Sequence, residues 1–222
     1  MQENSKNKTI AIIGAGIIGS CCALNLIKEG YNVILIDKNA PGNGCSYGNA
    51  GGISSGSIIP MALPGIWKKV PNWLFDKEGP LSVKWGYLPK VTPWLYKWII
   101  SSSKESAWYA SQALANLNKD VLDKYKSMLT ESQFDSLIKT TGHLYVYREE
   151  PNSPGDTFAK MLRKSSDVDY EDVFNRELQE IEPTLSKDLK YGLHIKDASF
   201  TVNPERLVCA IVDNFKKAGG TF

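Results

Sequence analysis

The chain opens on polar residues, and the first apolar run is Thr9 to Ile13 (TIAII). An unbroken run of that length is the pattern of a strand buried on both faces. Glycines follow, and from about Ile17 to Glu29 the period becomes helical. Ile17, Cys21 and Leu24 then fall on one face at i, i+4 and i+7. Gly30 stands where a helix C-cap glycine belongs. Val33 to Ile36 (VILI) is a second apolar run and ends in Asp37. These features predict a β-α-β unit of about 30 residues.

Beyond Asp37 the pattern changes. Asn39 to Ser57 is Gly-rich and too long for an ordinary αβ connection. A helix is predicted from Pro93 and a longer one from about Lys104 to Met128. The apolar stripe of the longer helix would be Ala110, Ala113, Leu114, Leu117, Val121 and Leu122. His143 to Tyr147 reads as a strand, Asp156 to Lys164 as a helix, Tyr170 to Val173 and Gly192 to Ile195 as strands. Asn203 is a natural N-cap with Pro204 at the first helical position, opening a helix to Ala218. Thr221-Phe222 begins something strand-like. There is no internal repeat.

Composition is that of an ordinary soluble chain. It has 222 residues, 42% hydrophobic and 23% charged, with 26 Lys+Arg against 24 Asp+Glu. Disordered, collagen-like and disulfide-scaffold classes are excluded. A net charge of +2 gives no nucleic-acid footprint, so no nucleic-acid partner is expected. No signal segment and no 18-residue apolar run is present in the sequence. Cys21, Cys22, Cys45 and Cys209 lack metal spacing and any CxxC. They read as free thiols of a reducing compartment, so a cytoplasmic location is expected and no metal.

GAGIIG fits G-x-G-x-x-G at Gly14, Gly16 and Gly19. The bare pattern is weak, but a buried strand precedes it, a helix follows, and Asp37 lies 18 residues after Gly19. Each part has a physical task. Gly14 permits the tight turn, Gly16 lets a pyrophosphate approach the backbone, and Gly19 lets the helix pack against the sheet. The helix N-terminus offers N–H groups and its positive dipole end to phosphates. Asp37 accepts from a ribose 2′-OH and disfavours a 2′-phosphate. A plain NAD domain would continue with short β-α-β loops. Here the glycine loop, a Pro/Trp-rich region and long helices follow, the layout of a flavin domain interrupted by an insert. The loop also carries Ile53 and Ile58-Ile59, apolar anchors that a flexible connector would lack.

GAGIIG, Asp37 and the stretch GCSYGNAGGISSGSIIPMALPG together resemble the FAD-dependent amine and D-amino-acid oxidoreductases of the glycine oxidase and D-amino-acid oxidase type. Within them the order resembles bacterial D-amino-acid dehydrogenase small subunits. The matching residues are Ser46, Asn49 to Gly51, Ile53-Ser54 with Gly56, then Pro60, Ala62 and Pro64-Gly65. GPLSVKWGYLPKVTPWLYKWI, Glu182-Pro183 and Gly192-Leu193 are similar too. The resemblance runs from about Lys8 to Phe222.

The resemblance implies an α/β fold with an α+β insert: a Rossmann-like FAD-binding domain interrupted by a substrate domain. The expected divisions are 1–58, 59–197 and 198–222. FAD is the implied cofactor. Ile13, Gly14, Ala15, Gly16, Ile17, Ile18 and Gly19 would hold its pyrophosphate, and Asp37 with Lys38 its adenosine ribose. Ser46, Asn49, Ala50, Gly51 and Gly52 would lie by the phosphates and the flavin. The implied reaction is oxidative deamination of a D-amino acid or related amine, with electrons passed to a quinone-type acceptor. Two alternatives stay open: an oxidase of glycine- or sarcosine-type amines, and a non-catalytic FAD-binding piece. Such enzymes run to roughly 400 residues. The C-terminal half is therefore expected to be missing, with FAD held weakly or not at all and no turnover. A partner subunit is the other way such a chain would be completed.

No catalytic side chain is assignable. Tyr145, Tyr147 and Arg148 are substrate neighbours only by analogy with the fold. His143 and His194 read as packed or surface histidines, and Cys45 as a small residue in a tight loop. All six tryptophans lie between Trp67 and Trp108. Aromatic packing between domains is the expectation there. A peripheral contact with the membrane and its quinones, at the inner face, is the alternative.

Overall fold

The computed structural model describes residues 8–75 and 84–222. In chain order its elements are β1 (Thr9–Ile13), α1 (Ile17–Lys28), β2 (Asn32–Ile36), β3 (Gly52–Ile53), α2 (Val70–Phe75), α3 (Leu88–Ile100), α4 (Lys104–Asn118), α5 (Val121–Met128) and α6 (Glu131–Leu137). Then come β4 (Ile138–Thr140), β5 (His143–Tyr147), α7 (Pro154–Ser165), β6 (Tyr170–Phe174), α8 (Asn175–Ile181), β7 (Tyr191–Ile195), β8 (Ser199–Thr201) and α9 (Pro204–Lys217). Part of the GPLSVKW segment lies outside the described residues.

The chain forms two compact units. The first runs to Ser54 and adds Asp120–Thr141 and Ala198–Phe222; the second is Ser55–Lys119 with Gly142–Asp197. Residues 120–141 thus belong to the first unit and not to the inserted one. The reason is packing: Met128, Leu129, Leu137 and Ile138 join the same buried cluster as Leu24 and Leu35.

In the first unit β1 and β2 pair in parallel, Thr9 opposite Asn32 and Ile13 opposite Ile36. Val33 and Leu35 point into the core. Two helices fill it: α1 brings Ala23 and Leu24, and α9 brings Leu207, Val208, Ile211, Val212 and Phe215. Those five α9 positions repeat at helical spacing, which puts one apolar stripe inward. Asn203 caps α9, its side chain accepting from Arg206 N–H at 2.9 Å, with Pro204 at N1 as the sequence predicts. After α9 the chain returns beside β2. Leu35 N–H donates to Thr221 C=O and Thr221 N–H to Val33 C=O, so the strand-like start at Thr221 is parallel to β2.

The expectation that β1 and β2 are buried on both faces is corrected. Ile13 is 87% exposed and Ile36 47%. Val33 and Leu35 face the core, while Ile34, on the opposite face of β2, is 37% exposed, so that face is partly open.

A second correction concerns the long helix predicted over Lys104 to Met128. It is two helices. Asp120 adopts φ +56° between α4 and α5, a left-handed conformation that Asp tolerates better than most residues. The predicted continuous stripe is therefore cut. Val121 and Leu122 pack in the first unit, while Leu117 is exposed.

The second unit holds the antiparallel sheet β5-β7-β6. α7 starts with a capping box in which Ser153 accepts from Asp156 N–H and Asp156 from Ser153 N–H. Phe158 and Leu162 of α7 pack on Ala107 of α4 with Ile59 and Leu63.

Candidate functional site

The turn from β1 into α1 has the geometry its glycines foretell. Gly14 sits at φ +106° and donates to Ile36 C=O at 2.7 Å. A Cβ on Gly19 would lie 1.9 Å from the Gly14 carbonyl oxygen, so α1 can approach this close only with glycine there. Gly16 precedes α1 and has no side chain with which to cap it. The first-turn N–H groups of a helix have no intrahelical acceptor. One of them, on Ile17, donates to Ser46 Oγ at 3.0 Å. Ser46 is buried, and its own hydroxyl hydrogen stays available to a ligand oxygen at the helix end.

Asp37 closes the other side. Its Oδ2 accepts from Ala15 N–H at 2.8 Å and its Oδ1 from Asn39 N–H at 2.9 Å. The Asn39 and Ala15 N–H bonds hold its carboxyl below the usual carboxylate range, against a smaller opposing effect of burial. Asp37 is thus ionised at neutral pH. Each oxygen keeps a lone pair for a hydroxyl donor. Lys38 beside it is exposed.

The glycine loop folds back on the turn. Gly42 N–H donates to Ala15 C=O at 2.9 Å. Asn49 works inside the loop: its Oδ1 accepts from Gly51 N–H, and its Nδ2 faces the carbonyls of Cys45 and Ser46. Gly51 lies at φ +67°, where a Cβ would come 2.7 Å from Thr201 C=O. Gly52 and Ile53 then pair with β8. Ile17, Ser46, Asn49, Gly51 and Gly52 line one cavity of about 100 Å3 with Tyr125 and Thr201. Ile13, Ile18 and Ala50 are exposed and do not line this cavity. Tyr125 and Thr201 carry no sequence signal, since they reach this cavity from distant segments. Burial pushes the Tyr125 hydroxyl up to about 12, with the Cys21 thiol adding to it, so it stays protonated.

In the second unit Tyr147 lines a cavity of about 190 Å3 with Lys160, Arg163, Asp156 and Tyr191. Tyr145 stacks on His143 at 4.3 Å, and neither it nor Arg148 lines this cavity. Lys160 pairs with Glu150 at 2.8 Å and Asp172 at 3.2 Å. Burial alone would lower its pKa, but the bonds to Glu150, Tyr191 and Asp172 raise it. The Tyr191 hydroxyl donates to Asp172 and is pushed up to about 12, mainly by burial. Arg163 Nε is buried without an acceptor among the described residues. This cluster converges from β5, α7 and β7, which no sequence spacing links.

A glycine turn between a parallel strand and a helix, an uncapped helix end, and an ionised acid closing the next strand define a dinucleotide-binding oxidoreductase domain. The FAD dependent oxidoreductase (DAO) family model matches residues 9–222, and the chain belongs to that family. It is 36% identical over 217 residues to a D-amino-acid oxidase of Bradyrhizobium diazoefficiens, covering 96% of this chain and 51% of the relative. It is 26% identical to a D-amino acid dehydrogenase of Helicobacter pylori over 97% of this chain and 51% of that protein. The chain spans about half the length of these curated relatives. In fold it resembles L-proline dehydrogenase from P. horikoshii (TM-score 0.63, 16% identity, 97% of this chain, 43% of that one). Glycine oxidase from Bacillus cereus is similar (TM-score 0.60, 15% identity, 97% and 46%).

The family cofactor FAD fits the residues present. The close approach at Gly19, the side-chain-free Gly16 and the uncapped α1 N-terminus leave backbone N–H groups for a pyrophosphate, and Asp37 offers an ionised acceptor for a ribose hydroxyl. Because the Asp37 pKa is lowered, its charge survives until pH falls through and below about 4, the ordinary carboxylate value. ADP binding, followed by amide NMR shifts, is therefore expected to be flat from about pH 5 to 8 in respect of this group and to weaken only in acid. Asp37→Ala is expected to weaken it about tenfold or more at all these pH values, since a charged acceptor is lost.

Proposed function

We propose that the first unit holds the ADP half of FAD, and that the whole protein oxidises D-amino acids. FAD, when bound, supplies the acceptor for the electron pair leaving the substrate Cα. The chain's own residues bind and orient. The N–H groups of Gly14, Ala15 and Ile17 are already engaged, so those of Gly16, Ile18 and Gly19 would meet the pyrophosphate, Ser46 would donate a hydroxyl to it, and Asp37 would accept from the adenosine ribose. Asn49 keeps the Ser46 to Gly52 loop closed. The observation carrying the cofactor reading is the joint placement of Ser46 Oγ and Asp37 on either side of the α1 N-terminus. The names of two sequence relatives support the D-amino-acid substrate. A substrate carboxylate also suits the Arg163 guanidinium, which lines the cavity of the second unit.

The test uses the 222-residue chain. ADP and FAD are expected to shift the same amides, those of Gly14 to Gly19, while FMN is not. No response to either adenine ligand overturns the reading. For the reaction, D-alanine is expected to reduce the flavin of the full-length relative-sized protein faster than L-alanine, glycine or sarcosine. The proposed acceptor is quinone-type, so quinone analogues are expected to reoxidise the flavin faster than oxygen does. The described cysteines are all unpaired, which suits a proposed cytoplasmic location.

A further inference from the structure

A third cavity, of about 320 Å3, lies wholly within the second unit and is larger than the cavities at Ser46 and at Lys160. One wall is the segment from Leu63 to Trp73, and the other is the start of α7 from Ser153 to Asp156. The first wall is held by short-range bonds. Gly65 turns at φ +79°, Lys68 N–H donates to Gly65 C=O at 3.1 Å, and Lys69 N–H donates to Ile66 C=O at 2.9 Å. The walls meet closely at Gly155, where a Cβ would lie 3.1 Å from the Pro64 carbonyl oxygen. Most of the inner surface is carbon, from Leu63, Pro64, Ile66, Trp73 and Pro154. The charged groups are unequal. Asp156 is already engaged, accepting from Ser153 N–H at 2.9 Å and pairing with Lys69 at 3.6 Å. Lys68 makes no ion pair among the described residues, and its ammonium stands 5.5 Å from the Trp67 ring centroid. Two lysines against one acid leave the lining with a positive charge over.

We propose that this cavity binds an aromatic monoanion, a ring carrying one carboxylate on a short arm. Size sets the upper bound. A dry apolar cavity of about 150 Å3 takes benzene, so this one admits a ring with a short acid arm. The rings of Pro64 and Pro154 and the Trp73 indole offer flat surfaces that suit an aromatic face. Charge sets the sign. A carboxylate pairs with the unengaged Lys68 ammonium. An ammonium ligand would meet Lys68 and Lys69 as like charges and find Asp156 already paired. The proposal needs no flavin and makes no use of Arg163, so it and the flavin reading can fail separately.

The experiment is an amide NMR titration of the 222-residue chain with phenylpropionate. Propionate, which lacks the ring, and phenylpropylamine, which reverses the charge, are titrated beside it. Phenylpropionate is expected to shift the amides of Ile66, Lys69 and Gly155 and to bind about tenfold more tightly than propionate, since only it buries a ring. It is also expected to bind more tightly than phenylpropylamine. Lys68→Gln is expected to weaken phenylpropionate about three- to fivefold, the scale of an exposed ion pair. Lys68→Glu, at an exposed side chain, is expected to keep the fold and invert the preference, so that the amine binds better than the acid. Trp73→Leu is expected to weaken phenylpropionate about tenfold, as loss of an aromatic wall does. Lys187→Gln, elsewhere on the second unit, is expected to bind as the parent does. Equal binding of acid and amine overturns the proposal, as does an unchanged preference in Lys68→Glu or no response to phenylpropionate at all. So do shifts confined to Tyr147 and Arg163, which would place the ligand in the other cavity of this unit.

Discussion

Gly19→Ala is expected to be the most damaging single-methyl change in the first unit. Two effects of opposite sign compete. Alanine is the better helix former, worth about 1 kcal/mol over glycine inside α1. Against that, the new Cβ would sit 1.9 Å from the Gly14 carbonyl oxygen and 3.4 Å from Ile12 Cγ2. The neighbour is backbone, fixed by the Gly14 N–H bond to Ile36, so no side chain can swing aside. Relief requires α1 to move away from the β1 turn by more than an ångström. Overpacking of this kind costs about 3 kcal/mol or more, so the clash exceeds the propensity gain. ADP affinity is expected to fall about 100-fold, because displacing α1 takes its N-terminal N–H groups off the ligand, and 1.4 kcal/mol is tenfold. A thermal melt and an ADP titration of the same variant check both. A raised Tm would mean that α1 does not approach Gly14 this closely.

What was legible in the sequence was local. β1, α1 and β2 were read within a residue or two because strand runs, helical period and glycine spacing all lie inside 30 residues. Asn203 and Pro204 announced α9 by capping chemistry alone. The break at Asp120 was not legible, since Val121 and Leu122 continue the helical period of α4 while packing in a different unit. The sheet β3-β8-β4 was missed because its strands are two or three residues long and far apart in the chain. No periodicity survives in such short pieces. The partly open face of β1 and β2 has the same root: TIAII reads alike whether one layer or two cover it. At the site, Gly14, Gly16, Gly19 and Asp37 were readable because each has a fixed offset from the others. Ser46 was reached through resemblance, and its bond to Ile17 N–H supplies the physical reason. Tyr125, Thr201 and Arg163 depend on long-range folding.

Phe215→Ala is expected to destabilise the first unit by about 3 to 5 kcal/mol, the range for emptying a buried aromatic site. Phe215 is fully buried. Its ring fills the space a Gly220 Cβ would occupy, with Cε2 at 2.1 Å from that position, and its carbonyl accepts from Gly220 N–H. The ring therefore packs three things at once: the α9 stripe, the core under α1, and the chain as it turns back to pair Thr221 with β2. Backbone on the Gly220 side resists collapse into the cavity, which puts the cost at the upper end of the range. The expected Tm loss is about 10 °C or more for the transition that includes α9. Phe222→Ala, at a residue 41% exposed beyond the end of α9, is expected to change Tm little. Phe215→Leu is expected to cost less than half as much as alanine, since most of the volume stays. ADP binding is expected to weaken in Phe215→Ala although Phe215 touches none of the proposed site. α1 is held at its N-terminus by the glycine turn and along its length by α9, and loosening the second support releases the first.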